Sequence, residues 1–377
     1  MFSLNTKEGK FSIVFKSNEA GSMDKYRIDS HKLIYHIPRV NDWIAGKLVY
    51  PIYTEIATSG TCNHRCTYCA LDYMEYQHRF LDTKILKERL SEMARLGVKS
   101  VMYAGEGEPL LHKDIGEIVL HTKNAGIDVA FTTNGVVFVP KLMRQTLHAI
   151  TWIKVSINGA TRETYAKIHR TGADDFDRVI KNIGEAVKFK KENNLECAIG
   201  MQMILLPENW HEAALLAETA KNLGVNYLVV KPYSQHSFSH TTAYKDFRYS
   251  EHIGLGETLR QFNTKDFQVI FREHTMKKWD DGKRNYERCL ALPFWSYIDA
   301  GGNVWGCSAY LGDERFIYGN IYQNTFQEIW EGGKRKKSLE WVHSDMDTSE
   351  CRVNCRMDEI NRYLWEVKHP SGHVNFI

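Results

Sequence analysis

The sequence predicts an α/β fold, a partial (β/α)6 barrel of the TIM type followed by a small C-terminal cysteine-bearing domain. Three observations carry this prediction. Strand and helix signals alternate from about Pro51 to Tyr233, which implies a parallel sheet with right-handed crossovers. Polar and glycine-containing clusters fall where the strands end, the edge at which parallel barrels build their sites. Seven of the eight cysteines form two groups, the first Cys62, Cys66 and Cys69, the second Cys289, Cys307, Cys351 and Cys355.

The elements follow in order. Ile52 to Ile56 reads as the first strand, and an amphipathic stretch from Thr83 to Leu96, closed by Gly97, reads as the first helix of the barrel. Ser100 to Tyr103 is the second strand and Asp114 to Asn124 its helix; Asp128 to Thr132 is the third, with a helix after Pro140. Trp152 to Ile157 precedes helices between Thr161 and Asn193, Ala198 to Leu205 precedes a helix from Glu208 to Leu223, and Tyr227 to Val230 closes the series. The implied organisation is an N-terminal extension (1–49), a barrel (50–240), a polar linker (241–285), a cysteine-bearing domain (286–360) and a tail (361–377). In the cysteine-bearing domain Trp295, Tyr297, Ile298 and Val304 predict a hairpin. The basic run Lys334 to Lys337 reads as a solvated helix end.

Composition narrows the function classes. A chain of 377 residues with 43% hydrophobic and 25% charged residues has the balance of an ordinary globular protein. Its net charge of +3 is scattered, so nucleic acid is not an expected partner. The N-terminus lacks the apolar core of a signal peptide, and no run approaches a membrane span. The expected location is the cytoplasm, where clustered cysteines point to metal ligation or catalysis instead of disulfides.

Three thiolates within eight residues of one loop can hold three irons of a four-iron four-sulfur cluster and leave the fourth iron open to an outside ligand. Zinc is the rival metal, with His64 as its nearby fourth ligand, but structural zinc takes a closed shell. The segment Cys62-Asn-His-Arg-Cys66-Thr-Tyr-Cys69 resembles the signature of the radical S-adenosylmethionine superfamily. The resemblance implies S-adenosylmethionine on the open iron, reductive cleavage to a 5′-deoxyadenosyl radical, and an electron donor such as a flavodoxin or ferredoxin. It also assigns cofactor contacts: Tyr68 near the adenine; Gly105, Glu106, Gly107 and Glu108 in a variant of the Gly-Gly-Glu-Pro motif; Asn134 and Ser156 at the ribose or carboxylate; and Arg170 at the carboxylate.

Cys289, followed by Gly302 and Cys307, resembles the opening of the auxiliary-cluster extension called SPASM or, when shortened, twitch. With Cys351 and Cys355 there are four ligands, enough for one auxiliary four-iron cluster with no open iron, whose work is electron transfer. That combination resembles dehydrogenases of small polar alcohols such as cyclitols, sugars and aminoglycosides. An epimerase would need a hydrogen-donating thiol, and the spare thiol, Cys197, starts the fifth strand at the end away from the site. A peptide or protein maturase and a non-catalytic metal-binding scaffold are the other readings. After the sixth strand, Lys231, Tyr233 and His236 are the expected base or substrate contacts, with Gln235 beside them.

Overall fold

A computed structural model describes residues 26–376. A short helix α1 (Ile37–Ile44) leads into a repeating strand–helix series. The series runs β1 (Tyr53–Ile56), α2 (Thr83–Arg95), β2 (Ser100–Tyr103), α3 (Ile115–Asn124), β3 (Asp128–Thr133), α4 (Pro140–Thr146) and β4 (Ile150–Ser156). It continues with α5 (Arg162–His169), α6 (Asp174–Glu192), β5 (Ala198–Ile204), α7 (Ala213–Leu223) and β6 (Tyr227–Lys231). The remainder comprises α8 (Leu255–Arg260), β7 (Gln268–Phe271), α9 (Glu273–Asp281), β8 (Trp295–Ile298), β9 (Asn303–Trp305), β10 (Ile317–Asn320), α10 (Phe326–Glu331), α11 (Gly333–Ser344) and α12 (Asp358–Lys368).

All ten strands share one sheet in the order β10-β9-β8-β1-β2-β3-β4-β5-β6-β7. The run from β1 to β6 is parallel throughout, as the alternating sequence predicts, and its ends do not close on each other. Side chains alternate across it. Ile153 and Val155 of β4 and Leu228 and Val230 of β6 join the core against the helices, while Trp152, Lys154 and Ser156 take the other face. Helix α2 shows how a local signal and the core agree: Asp82 caps it by accepting from the Ile85 amide at 2.9 Å, and Leu86, Leu90 and Met93 are fully buried on one stripe. Gly97, at φ +91, ends it.

The segment 241–285, expected as a linker, instead extends the barrel. It supplies α8, β7 and α9, and β7 pairs with β6 in parallel from Tyr227↔Gln268 to Val230↔Phe271. Its buried apolar residues, among them Tyr249, Leu259, Val269, Ile270, Met276 and Trp279, carry the packing, but they are spread over short elements and polar turns and register as no single period. The cysteine-bearing part is likewise joined to the barrel through the sheet. Strand β8 lies parallel to β1 with Glu55 opposite Tyr297, and the buried hydroxyls of Thr54 and Ser296 bond at 2.8 Å. The predicted hairpin is β8 and β9, antiparallel. Glu92 of α2 accepts from the amides of Phe326 (3.0 Å) and Gln327 (2.9 Å), capping α10 across the interface.

Two smaller expectations change. Residue 361, the expected start of the tail, lies inside α12, whose Asp358, Asn361 and Leu364 are buried three residues apart. Arg335 in the basic run is buried with its guanidinium 4.1 Å from the Trp330 ring centroid, so the run is only partly solvated. Among the described residues no helix is long and apolar enough to cross a membrane.

Candidate active site

The loop after β1 carries Cys62, Cys66 and Cys69 and is held by the end of α5. The last carbonyls of a helix have no partner within it. Here Ile168 O accepts from the Thr67 amide at 2.8 Å and His169 O from the Arg65 amide at 3.2 Å. All three thiols are free and half-buried. Burial pushes each upward, Cys62 to about 12, and the neighbouring sulfurs raise Cys66 further. Such thiols become thiolates only against a compensating cation, the condition a bound iron cluster meets.

His169, which sequence reasoning missed, stands directly behind this loop. It is fully buried, stacks on Tyr165 at 4.1 Å between centroids, and places Nδ1 3.4 Å from Cys66 Sγ. Its Nε2 accepts from the Asn158 backbone amide at 3.2 Å, which puts the ring proton on Nδ1, facing the sulfur. Burial pushes the ring's pKa well down, keeping it neutral. The ring nitrogens of His64 and His169 and the Cys66 sulfur lie within 4.8 Å of one another. His64 Nε2 is committed to Asp175 at 3.2 Å, so the two rings form a wall beside the thiolate. A donor to a cluster sulfur stabilises the reduced, more negative state. His169→Leu is therefore expected to lower the midpoint potential of this cluster in an EPR-monitored redox titration; an unchanged potential would show that the bond does not form in the loaded protein.

Around the loop, the ends of β2 and β3 interlock. Glu108 is buried and its carboxylate accepts from Thr133 Oγ1 (2.6 Å), the Asn134 amide (2.7 Å) and the Leu110 amide (3.1 Å). Asn134 Nδ2 in turn donates to Asn63 Oδ1 inside the cysteine loop at 2.7 Å. Burial lifts Glu108 to about 7 against these three donors. Gly107 is a close-approach position: a Cβ there would stand 2.3 Å from Ser59 O and 2.5 Å from Thr61 O, backbone atoms of the cysteine loop. Its missing side chain thus admits the cluster loop itself. Glu106, expected at the cofactor, turns away: its carboxylate binds Arg79 at 2.6 Å and the Ala300 amide at 2.7 Å, tying β2 to the β8–β9 turn. Gly105, at φ +122, lies against Tyr297 and Ala57. Tyr68 meets His169 edge-on at 5.7 Å. Ser156 ends β4 on the inner face, half-buried. Arg170 follows α5 in a left-handed conformation, its side chain exposed next to the loop's anchor.

Of the three residues expected as base or substrate contacts, only Lys231 remains available on the inner face, half-buried at the end of β6. Tyr233 is buried in the helix-side core between Tyr244 and Trp279. His236 is fully buried with both ring nitrogens engaged, Nδ1 accepting from the Phe238 amide (3.2 Å) and Nε2 facing Ser308 O (3.2 Å) and the Tyr73 hydroxyl (3.4 Å). Gln235 Nε2 donates to His236 O and Thr241 O, both at 3.0 Å. The alternation that aims side chains holds only while the strand lasts, and β6 stops at Lys231.

The second cysteine group converges. Cys289, Cys307, Cys351 and Cys355 line one cavity whose other walls include Leu292, Phe316, Met346 and Met357. Each sulfur meets a potential donor: Asn361 Nδ2 at Cys289 (3.4 Å), the Ala309 amide at Cys307 (3.4 Å), the Met357 amide at Cys355 (3.4 Å) and the Tyr310 hydroxyl near Cys351 (3.7 Å). Burial pushes Cys289 to about 12 and Cys351 to about 11. Four sulfurs with such neighbours in an apolar cavity suit a fully protein-ligated iron–sulfur cluster.

Comparison with known proteins agrees with this geometry. The family model described as "Radical SAM superfamily" matches residues 56–220, and that described as "Iron-sulfur cluster-binding domain", SPASM, matches residues 289–356. "Probable GTP 3',8-cyclase" of Saccharolobus solfataricus is 31% identical over 172 residues, 45% of this chain and 53% of that protein. "GTP 3',8-cyclase" of Chlorobaculum tepidum is 29% identical over 192 residues, 50% and 56% of the two chains. The chain thus spans about half the length of these curated relatives. Streptococcus suis SuiB bound to S-adenosylmethionine superimposes with a TM-score of 0.62 at 18% identity, over 90% of this chain and 79% of that one. Native anSMEcpe with bound AdoMet gives 0.56 at 15% identity, over 87% and 100%; at such identities the likeness shows the fold. The cofactors are S-adenosylmethionine, a three-cysteine four-iron cluster and auxiliary iron–sulfur ligation, and the chain carries a radical S-adenosylmethionine superfamily domain over residues 56–220 followed by a SPASM iron–sulfur domain over residues 289–356.

Proposed function

We propose that the protein removes a hydrogen atom from a small polar substrate held on the inner face of the barrel and completes a two-electron oxidation through the auxiliary centre. S-adenosylmethionine, when bound at a cluster held by Cys62, Cys66 and Cys69, would supply the carbon radical for hydrogen abstraction. The chain's residues do the rest. Cys62, Cys66 and Cys69 would hold the cluster, Glu108 and Asn134 fix the loops around it, and Trp152 and Tyr53 pack against Met102, Ala104 and Ala130 on the inner face.

The observation that carries the oxidative reading is the four-sulfur cavity. A centre with four protein ligands has no open iron for substrate, and electron transfer is the chemistry left to it. A hydrogen-returning epimerase is disfavoured by Cys197, which is buried in the helix-side core at the start of β5 with its thiol raised to about 12. A peptide substrate is the second reading, favoured by the fold shared with SuiB, which was solved bound to precursor peptide SuiA. The sequence relatives carry a nucleotide, GTP, in their name.

The test begins with anaerobic protein reconstituted with iron and sulfide, reduced by dithionite and given S-adenosylmethionine with fractions of polar metabolites or with synthetic peptides. The expected result is 5′-deoxyadenosine whose formation rises with a polar-metabolite fraction, together with a product lighter by two hydrogens. A response to peptides alone would favour the second reading, and no 5′-deoxyadenosine in any arm would sink both. Cys307→Ala is expected to lose the oxidised product; full turnover by that variant would remove the oxidative role of the auxiliary centre.

A further inference from the structure

We propose that the inner face of the barrel carries an anion subsite, in which the ammonium groups of Lys154 and Lys231 hold a carboxylate or phosphate of the substrate. The inference rests on the reading of that face as the substrate cavity. Strand alternation brings the two lysines there: Lys154 lies between Ile153 and Val155, which face the helices, and Lys231 follows Val230, which does the same. The Lys154 ammonium stands 5.5 Å from the Trp152 ring centroid. Among the described residues neither lysine has a hydrogen-bonded or carboxylate partner, in contrast to the arginines near them. Arg356 is paired with Glu55 and donates to the Tyr53 hydroxyl at 2.7 Å, and Arg272 is paired with Asp29 at 3.1 Å. The carboxylates that could have neutralised the lysines are therefore already engaged.

The surroundings are strongly positive. Lys231 is repelled by Lys154, Arg272, Arg356 and Arg352, and Lys154 by Arg356, Arg272 and Lys32, with Glu55 as the opposing attraction. Burial, ahead of these repulsions, pushes Lys154 down to about 7 and Lys231 well below the usual ammonium range. Protonating both amines in a poorly hydrated interior therefore costs free energy that a neutral polyol would leave uncompensated. A bound anion offsets it with two charge-assisted hydrogen bonds. Ammonium groups act as point charges without a planar fork, so they accept phosphate and carboxylate alike.

Calorimetry on the full chain, reconstituted anaerobically, tests this with three probes: inorganic pyrophosphate, succinate and uncharged myo-inositol. Pyrophosphate, succinate or both are expected to bind, the preference telling phosphate from carboxylate. Lys154→Met and Lys231→Met are each expected to weaken that binding by at least about tenfold, while Lys154→Arg and Lys231→Arg, which keep the charge, largely restore it. Iron content and the visible spectrum check the fold, and should a Met variant lose iron, the Arg variant compared with a Gln variant decides. Absence of saturable binding by either anion, or equal binding by wild type and charge-removed variants, would overturn the subsite. Cleavage of S-adenosylmethionine by the wild-type protein, measured in parallel, keeps the two ideas separate: anion binding without cleavage would sink the radical reading and leave the subsite standing.

Discussion

Changing any one of Cys62, Cys66 or Cys69 to alanine is expected to reduce cleavage of S-adenosylmethionine by at least about a thousandfold, equivalent to about 4 kcal/mol in the barrier. The three sulfurs sit on one loop anchored by the Thr67 and Arg65 amides on the end of α5, and no fourth cysteine is available there to substitute. Loss of one ligand removes the geometry that leaves a single iron open. The measurement is 5′-deoxyadenosine formed under dithionite, with iron per chain determined on the same sample. Iron should fall only in part, because Cys289, Cys307, Cys351 and Cys355 form a separate cavity. Wild-type cleavage by any of the three variants, or a colourless divalent metal in the loop of oxygen-protected protein, would refute the assignment of this loop.

The second large effect is expected from Gly107→Ala. The added methyl would meet Ser59 O at 2.3 Å, Thr61 O at 2.5 Å and Gly60 C at 2.8 Å, all backbone atoms that cannot swing aside as a side chain does. The cysteine loop must then shift as a unit. Overpacking of this kind costs about 1–3 kcal/mol in stability, and a displacement of about 1 Å at a reacting centre costs on the order of 100-fold in rate. Gly172→Ala is the control, since nothing lies within 4 Å of its Cβ. A thermal unfolding scan and the cleavage assay together decide. If Gly107→Ala matches Gly172→Ala in both, the tight contact between the two loops does not matter for the site.

The parallel strands and the three-cysteine loop were legible in the sequence for a plain reason: both are local patterns. Ser100 to Tyr103 is bounded in the structure as the sequence predicts, and the other barrel strands differ by one or two residues at their ends. β7 was missed because it is only four residues long, Gln268–Phe271, within a stretch of mixed polar and apolar residues that carries no regular period. His169 gave no sequence signal, since a histidine at a helix end is ordinary and its partner Cys66 lies 103 residues away along the chain. Lys154 could have been found from the alternation of Trp152, Lys154 and Ser156 with Ile153 and Val155.

By itself, the sequence determined the superfamily motif, the spacing of the three-cysteine loop and its place after the first barrel strand, because spacing and period are carried by neighbouring residues. Only the tertiary structure decided which polar groups are free. It spent Glu106 on Arg79 and the Ala300 amide, buried Tyr233 in the helix-side core, engaged both ring nitrogens of His236, and left Lys154 and Lys231 on the inner face with no hydrogen-bonded or carboxylate partner among the described residues. It also drew four distant cysteines around one cavity. A side chain's availability depends on partners from remote segments and on the face it presents, and both are settled only when the sheet assembles.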